Sequence, residues 1–211
     1  TVVGAEHQYV YEALSLFKRD RTNAKGLAAL RELVSLRRAG LADSDPRSAV
    51  IAECICSAAN SIADRNRVTR GTLEMMTEAE PLARAAADLH PHKKAWIYWN
   101  FARNLIARRE YARAELLCRE AIAILESFTI PSDDLRLVAR SSLGDALARQ
   151  RCDAEAEPLL LDVFRRQLAA IGPKHNETRD TMLAIVRLYR DAGRARDAIP
   201  LAATVARVRW L

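Results

Sequence analysis

The stretch that decides the fold occurs three times in this chain of 211 residues, as Tyr111-Ala112-Arg113-Ala114-Glu115-Leu116-Leu117, as Asp153-Ala154-Glu155-Ala156-Glu157-Pro158-Leu159 and as Ala195-Arg196-Asp197-Ala198-Ile199-Pro200-Leu201. The central alanines, Ala114, Ala156 and Ala198, are equally spaced along the chain and define a 42-residue period. A fixed period of this size indicates a repeat architecture, in which each repeat is one supersecondary unit that stacks on its neighbours.

Each repeat contains two helical patterns separated by a short polar break. In the first repeat, Tyr98, Phe101 and Leu105 follow the spacing of one apolar helix face, and a second stripe begins at Ala114. The breaks fall at 108–110, at 150–151 and at Gly193. Because two stripes joined by so short a connection can face each other, the pattern predicts antiparallel helix pairs with small residues at their closest approach.

The composition also favours helices. The chain has only 7 Gly and 7 Pro, too few for the tight turns of an all-β protein, and it is rich in Ala, Leu and Arg. No strand followed by a glycine-rich loop is present to hold a nucleotide, and no run of about 18 uncharged apolar residues could span a membrane. We therefore expect an all-α protein located in the cytoplasm, where the cysteines at 54, 56, 118 and 152 would stay reduced.

The repeats predict a single domain over residues 1–211, built of about five helix pairs. Their approximate limits are 5–41, 45–90, 92–128, 132–172 and 175–211. The last three pairs follow the period closely, whereas the first two are degenerate copies. Extra residues around 65–72 either lengthen the helices of the second pair or form a long loop within it.

These residues resemble the tetratricopeptide repeat (TPR) family. Leu143-Gly144, Tyr189, Gly193 and the repeated alanines stand at the offsets of the family's packing residues. The 42-residue period, with Ala-Glu-Pro-Leu at 156–159, resembles the longer kinesin-light-chain type. The resemblance covers 92–211 closely and 5–91 more weakly. It implies a right-handed α-solenoid that acts as a protein-interaction module.

The resemblance also implies that the first helix of each pair lines a concave groove. Carried over offset by offset, the candidates for peptide binding are Trp96, Trp99, Asn100, Arg103, Ser141, Asp145, Arg149, Arg187 and Arg190. In the kinesin-light-chain type a pair of asparagines on this face holds the backbone of an extended peptide, and only Asn100 is retained here. The two tryptophans have two interpretations, as exposed anchors for a ligand or as side chains packed against the preceding pair.

The net charge of +6 is concentrated in the clearest repeats. Residues 1–91 carry 12 basic and 12 acidic side chains, whereas residues 92–211 carry 21 and 15. A row of groove-facing arginines favours an acidic peptide or partner helix, since guanidinium groups form bidentate pairs with carboxylates. The competing interpretation is a solvated surface, in which each arginine is balanced by an acid one turn away, as Glu115 would balance Arg119.

Other classes of function find less support. His90-Pro91-His92 is the only close histidine pair and lacks further ligands at a supporting spacing, so no metal site is predicted. No set of nucleophile, base and carboxylate recurs, so we expect no catalytic residue and no cofactor. The alternatives left open are a regulatory or self-associating domain of a larger bacterial signalling protein, such as a serine/threonine kinase, and, with less support, nucleic-acid binding through the basic half.

Overall fold

The computed structural model describes residues 77, 80, 81, 84, 90–127, 134–201 and 203. The predicted pair at 5–41 and most of the pair at 45–90 lie outside these residues, as do Cys54 and Cys56. The chain divides into two compact units, Thr1–Asn104 and Leu105–Leu211, each of which is described by itself. The single domain over the whole chain stays a prediction.

Five α-helices and one short 3-10 helix follow one another along the described ranges. They are α1 (Pro91–Ala107), α2 (Tyr111–Glu126), α3 (Asp134–Arg149), α4 (Asp153–Ala170), α5 (Asn176–Asp191) and the 3-10 helix Ala195–Ala198. Residues 199–201 and 203 are also helical. None of the residues that the structure describes lies in a strand, which confirms the all-α prediction for this part of the chain.

The turns after α1, α3 and α5 share one backbone geometry, repeated once per period. Arg109, Arg151 and Gly193 have positive φ angles of 66°, 65° and 72°. At Arg109, its own N–H bonds the carbonyl three residues earlier at 3.0 Å, and the next N–H bonds the carbonyl five residues earlier at 2.9 Å. These are the two bonds of a Schellman motif, and the other two turns repeat them. The motif satisfies carbonyls at the helix end and reverses the chain before the second helix.

Two histidines accept backbone hydrogen bonds where helices begin. His175 is the N-cap of α5, and its Nδ1 accepts from the Glu177 N–H at 3.3 Å. His90 precedes α1, and its Nδ1 accepts from the His92 N–H at 3.3 Å. Pro91, with its fixed φ, is the first residue of α1. The His90-Pro91-His92 segment thus serves the start of a helix.

In the second unit, α3 is buried on most sides, whereas α5 is buried on one face. α3 packs against α2, α4 and α5. Its buried residues Leu137, Val138 and Ala148 correspond, one repeat later, to the exposed residues Arg179, Asp180 and Arg190 of α5. The outer face of α5 is therefore polar, as a helix that meets solvent on one side requires.

α3 and α4 approach each other most closely at Gly144. A Cβ built on this glycine would lie 2.5 Å from Cγ and 2.6 Å from Cδ2 of Leu160. Non-bonded carbons are stable at about 3.5–4.0 Å, so these separations are far too short. Leu160 is 0% exposed and has no open space into which it could swing. The packing of this pair therefore needs glycine at position 144.

The positive φ angles predict opposite effects of two substitutions in the turns. Gly193→Ala should lower the free energy of unfolding by about 1 kcal/mol through backbone strain alone, because a new Cβ there meets no heavy atom within 4 Å. Arg109→Gly should raise it by up to about 1 kcal/mol, since glycine relieves the strain at an exposed position. Urea denaturation followed by circular dichroism measures both, and shifts of the same sign would contradict this account.

Gly144→Ala tests the close approach of α3 and α4. Alanine favours a helix over glycine by about 1 kcal/mol, yet we expect a net loss of about 1–2 kcal/mol because the Cβ overpacks the contact with Leu160. The double variant Gly144→Ala, Leu160→Ala should lose less than the sum of the two single losses, since removing the leucine side chain removes the clash. Strict additivity in urea denaturation would show that the contact is not responsible.

Candidate functional site

Four of the nine predicted binding residues lie on α1, within the first unit. Trp96 and Trp99 are partly exposed, and so is Arg103. The guanidinium carbon of Arg103 lies 5.1 Å from the centroid of the Trp99 ring, which is the distance of a cation–π contact. Arg103 and Trp99 therefore form one stacked pair, in which the arginine covers part of the ring that was predicted as an anchor.

Asn100, the fourth of these residues, is fully buried. It is 0% exposed, and its Nδ2 donates to the Trp96 carbonyl at 2.9 Å. One turn later Asn104 repeats the arrangement, with 2% exposure and a 2.9 Å bond to the Asn100 carbonyl. Neither Oδ1 atom has a hydrogen-bond partner. Sequence reasoning missed Asn104, although its position one helical turn after Asn100 places both amides on one helix face.

The second unit brings three predicted residues into one cluster, here named the Asp145 cluster: Asp145 and Arg149 on α3 and Arg187 on α5. Arg187 Nη2 lies 3.2 Å from Oδ1 of Asp145. Arg149 Nε lies 3.5 Å from the same oxygen. The Asp145 side chain is 14% exposed, against 31% for Arg149 and 32% for Arg187. The carboxylate thus lies deeper than the two guanidinium groups that share it.

Both arginines of the cluster keep unused donors. The Nε atoms of Arg149 and Arg187 are buried and have no hydrogen-bond acceptor; the 3.5 Å contact of Arg149 with Asp145 is an ion pair without hydrogen-bond alignment. Arg149 is also held from a second side, since its guanidinium carbon lies 5.8 Å from the centroid of the Tyr111 ring. Unused buried donors of this kind call for an acceptor in the functional complex.

A second carboxylate lies close to the Asp145 cluster. The hydrogen bond from Arg190, at 2.8 Å, lowers the pKa of Asp191, and the charges of Arg149 and Arg151 lower it further. Asp191 lies one repeat after Arg149, just as Arg187 lies one repeat after Asp145. Charges therefore alternate across α3 and α5, with an acid facing a base at one offset and a base near an acid at the next.

The two remaining predicted residues have different surroundings. Arg190 has a side chain that is 63% exposed, and its described ion pair is with the neighbouring Asp191. Ser141 is joined to the interior instead: its hydroxyl lies 2.7 Å from that of Thr181, which donates to Gln167 Oε1 at 2.7 Å. This chain of hydrogen bonds links α3, α5 and α4, so Ser141 helps to fix how the helices pack.

Acidic residues on the second helices join neighbouring pairs. Glu115 Oε2 accepts from Gln150 Nε2 at 2.8 Å. Glu157, one repeat later, accepts from Arg194 Nη1 at 2.6 Å and from the Tyr189 hydroxyl at 3.0 Å. The bond from Arg194 is the main reason why the pKa of Glu157 is lowered. Sequence reasoning missed these contacts, and the recurrence of glutamate at one offset was the signal for them.

The ion pair predicted between Glu115 and Arg119 is present, with Arg119 Nε 2.9 Å from Glu115 Oε1. Arg119 also reaches the next pair, where its Nη2 lies 2.8 Å from Glu155 Oε1. These two bonds to carboxylates raise the pKa of Arg119, the bond to Glu155 most. A pattern that reads as a local surface ion pair in the sequence therefore becomes a link between α2 and α4.

Metal and thiol chemistry find no assembled site in the part of the chain that the structure describes. There, no group of three or more His, Cys, Asp or Glu side chains could hold a metal ion. Burial, with a smaller contribution from Glu115, raises the pKa of Cys118 to about 12, so this thiol is an unreactive core residue. Cys152 is exposed. Among the same residues, no helix is long and apolar enough to cross a membrane.

Comparison with solved structures identifies the fold. A variant of the nearly identical TPR-like repeats of a Podosopora anserina chain designated a kinesin light chain matches with a TM-score of 0.67 and 17% identity, covering 96% of this chain and 93% of that chain. A second structure of those repeats gives 0.65 and 17%, with coverage of 96% and 94%. BtubC (BKLC) from P. vanneervenii gives 0.51 and 16%, with coverage of 87% and 89%.

No protein-family model and no curated protein matches the sequence. The structural matches nevertheless cover nearly the whole chain, and they show that it is a TPR-type repeat protein in fold. The predicted α-solenoid of helix pairs is therefore confirmed.

Proposed function

We propose that the chain is a non-catalytic scaffold that binds an acidic peptide or partner helix on the face carried by the first helices of its pairs. TPR-like repeat folds generally mediate protein–protein interaction. The observation that supports an acidic ligand is the Asp145 cluster, in which two arginines from neighbouring first helices share one carboxylate and stay about one third exposed. We expect the ligand to contact the exposed edges of both.

The charge that remains on this face supports the same proposal. Arg149, Arg187 and Arg190 are three cations set against two anions, Asp145 and Asp191. The unused guanidinium donors need an acceptor, and a carboxylate is the acceptor whose geometry they match best. An acidic side chain of a ligand would supply both the negative charge and the acceptor.

A binding role fits the described surface better than catalysis. Its ionisable side chains form pairs and short chains along the helices instead of converging in a cleft. Nucleic acid is a weaker candidate, because many of the described arginines are already paired with carboxylates. We further propose that the protein acts in the cytoplasm, where the exposed Cys152 stays reduced.

Self-association is the second candidate, and two exposed apolar residues favour it. Leu183 on α5 is 44% exposed, and Ile199 is 63% exposed. In the preceding pair the same offsets hold Ser141 and Glu157, whose side chains bond the next pair. Leu183 and Ile199 thus occupy positions that stack against a helix pair elsewhere in this fold, and a second copy of the chain could cover them. Such a domain could regulate a larger signalling protein.

The acidic-ligand proposal predicts that Arg149→Ala together with Arg187→Ala removes peptide binding. The probes are fluorescent peptides of equal length in which glutamates are replaced stepwise by glutamine. We expect the wild-type protein to prefer the glutamate-rich peptides, and the double variant to bind them at least about tenfold more weakly, with a shallower dependence on salt. Fluorescence anisotropy at two salt concentrations measures both effects.

A matched control removes the same charge elsewhere. Arg165→Ala together with Arg196→Ala changes two exposed arginines outside the Asp145 cluster. We expect this variant to keep wild-type affinity within about threefold, because screened charges at a distance contribute little. Equal losses in both double variants would reduce the effect to overall charge, and wild-type binding that ignores the glutamates would end the proposal.

The self-association candidate predicts a concentration-dependent dimer in sedimentation velocity. Leu183→Glu should abolish it, because a charge would be buried in the contact. Leu116→Glu is the control, since Leu116 is 56% exposed on α2 and lies at a different offset. A chain that stays monomeric at high concentration, or a dimer that only the Leu116 variant disrupts, would exclude association through Leu183 and Ile199.

A further inference from the structure

The Asp145 cluster has a fixed net charge that an incoming anion must complement. Two guanidinium groups and one carboxylate leave a single positive charge. The carboxylate is the least exposed of the three side chains, at 14% against 31% and 32%. An anion that approaches from solvent therefore meets the guanidinium groups first and has a negative charge directly behind them.

The guanidinium groups are oriented before any ligand arrives. Asp145 Oδ1 holds Arg187 at 3.2 Å and Arg149 at 3.5 Å. Tyr111 supports Arg149 from another side, with 5.8 Å between the guanidinium carbon and the ring centroid. Their Nε donors remain without acceptors. Donors that are already positioned bind an acceptor without a further loss of side-chain entropy.

The charge of the cluster discriminates between classes of anion. A carboxylate carries one negative charge and would neutralise the cluster. A phosphate dianion would leave an excess negative charge in a partly buried place, and its repulsion by Asp145 would be twice that felt by a carboxylate. A fixed like charge that penalises one class of ligand more than another is a device for specificity.

We propose that the Asp145 cluster binds a carboxylate, the side chain of an aspartate or glutamate in the ligand, and that Asp145 makes it select carboxylate over phosphate. This inference rests on the proposed function, since it assigns the acidic group of the same ligand. Asp145 is the specificity-determining residue, whereas Arg149 and Arg187 supply the donors.

The test titrates the full chain with acetate and with inorganic phosphate at mildly alkaline pH, where phosphate is a dianion. The readout is the NMR signals of the Nε–H groups of Arg149 and Arg187. We expect acetate to shift both signals in the wild-type protein and to bind at least as tightly as phosphate. In Asp145→Asn, affinity should rise about fivefold for acetate and about twenty-fivefold for phosphate, because the repulsion removed doubles with ligand charge.

Asp162→Asn is the matched control. Asp162 also lies between two arginines, 3.7 Å from Arg140 and 3.1 Å from Arg166. Its substitution changes the net charge by the same amount but should leave anion binding at Arg149 and Arg187 unchanged. Similar gains in the two variants, equal gains for both anions in Asp145→Asn, or tighter phosphate than acetate binding by the wild-type protein would overturn the proposal. The wild-type comparison decides even if Asp145→Asn does not fold.

The outcome is separable from that of the proposed function. If glutamate-rich peptides bind and need Arg149 and Arg187, but replacing a glutamate by phosphoserine changes affinity equally in wild-type and Asp145→Asn, the acidic-ligand function stands and the selectivity is wrong. If no acidic peptide binds, the proposed function itself fails, and any response of the two Nε–H signals to acetate then describes an anion site without that role.

Discussion

A left-handed residue closes the first helix of each described pair, and the register of the repeats follows from it. Arg109, Arg151 and Gly193 hold φ angles of 66°, 65° and 72° and stand one repeat apart. Because each turn reverses the chain with the same two hydrogen bonds, residues at one offset recur at the same place in each pair. That register brings Asp145 next to Arg187 and gives Glu115 and Glu157 the same role. The side-chain contacts between pairs depend on it.

Much of this fold could be predicted from the sequence, because periodicity and small residues are local signals. The three polar breaks mark the turns, and Gly144 marks the closest helix approach, where Leu160 leaves no room for a Cβ. Glycine was the visible cue only at Gly193; the arginines at 109 and 151 adopt the same φ against their intrinsic preference. The hydrogen-bonded turn determines the backbone there, and residue type does not reveal it.

The candidate site was less predictable, since an offset gives the face of a helix but neither the depth nor the partner of a side chain. Asn100 falls at a groove-facing offset, yet it is 0% exposed and bonds its own helix. Asp145 and Arg187 share one offset, so the sequence could indicate that they are neighbours, but not that they would neutralise each other. Rotamer and burial decide such pairing, and both depend on tertiary packing.

The polar outer face of α5 has a consequence for the number of repeats that the array can contain. α3 places Leu137, Val138 and Ala148 where another first helix covers them, whereas α5 has charged residues at those offsets. A copy of the α3–α4 pair inserted in tandem would bring its own stacking surface and could lengthen the array. A copy of α5 inserted there would bury charged side chains at an apolar contact. The fourth pair is thus an extensible module, and the fifth is not.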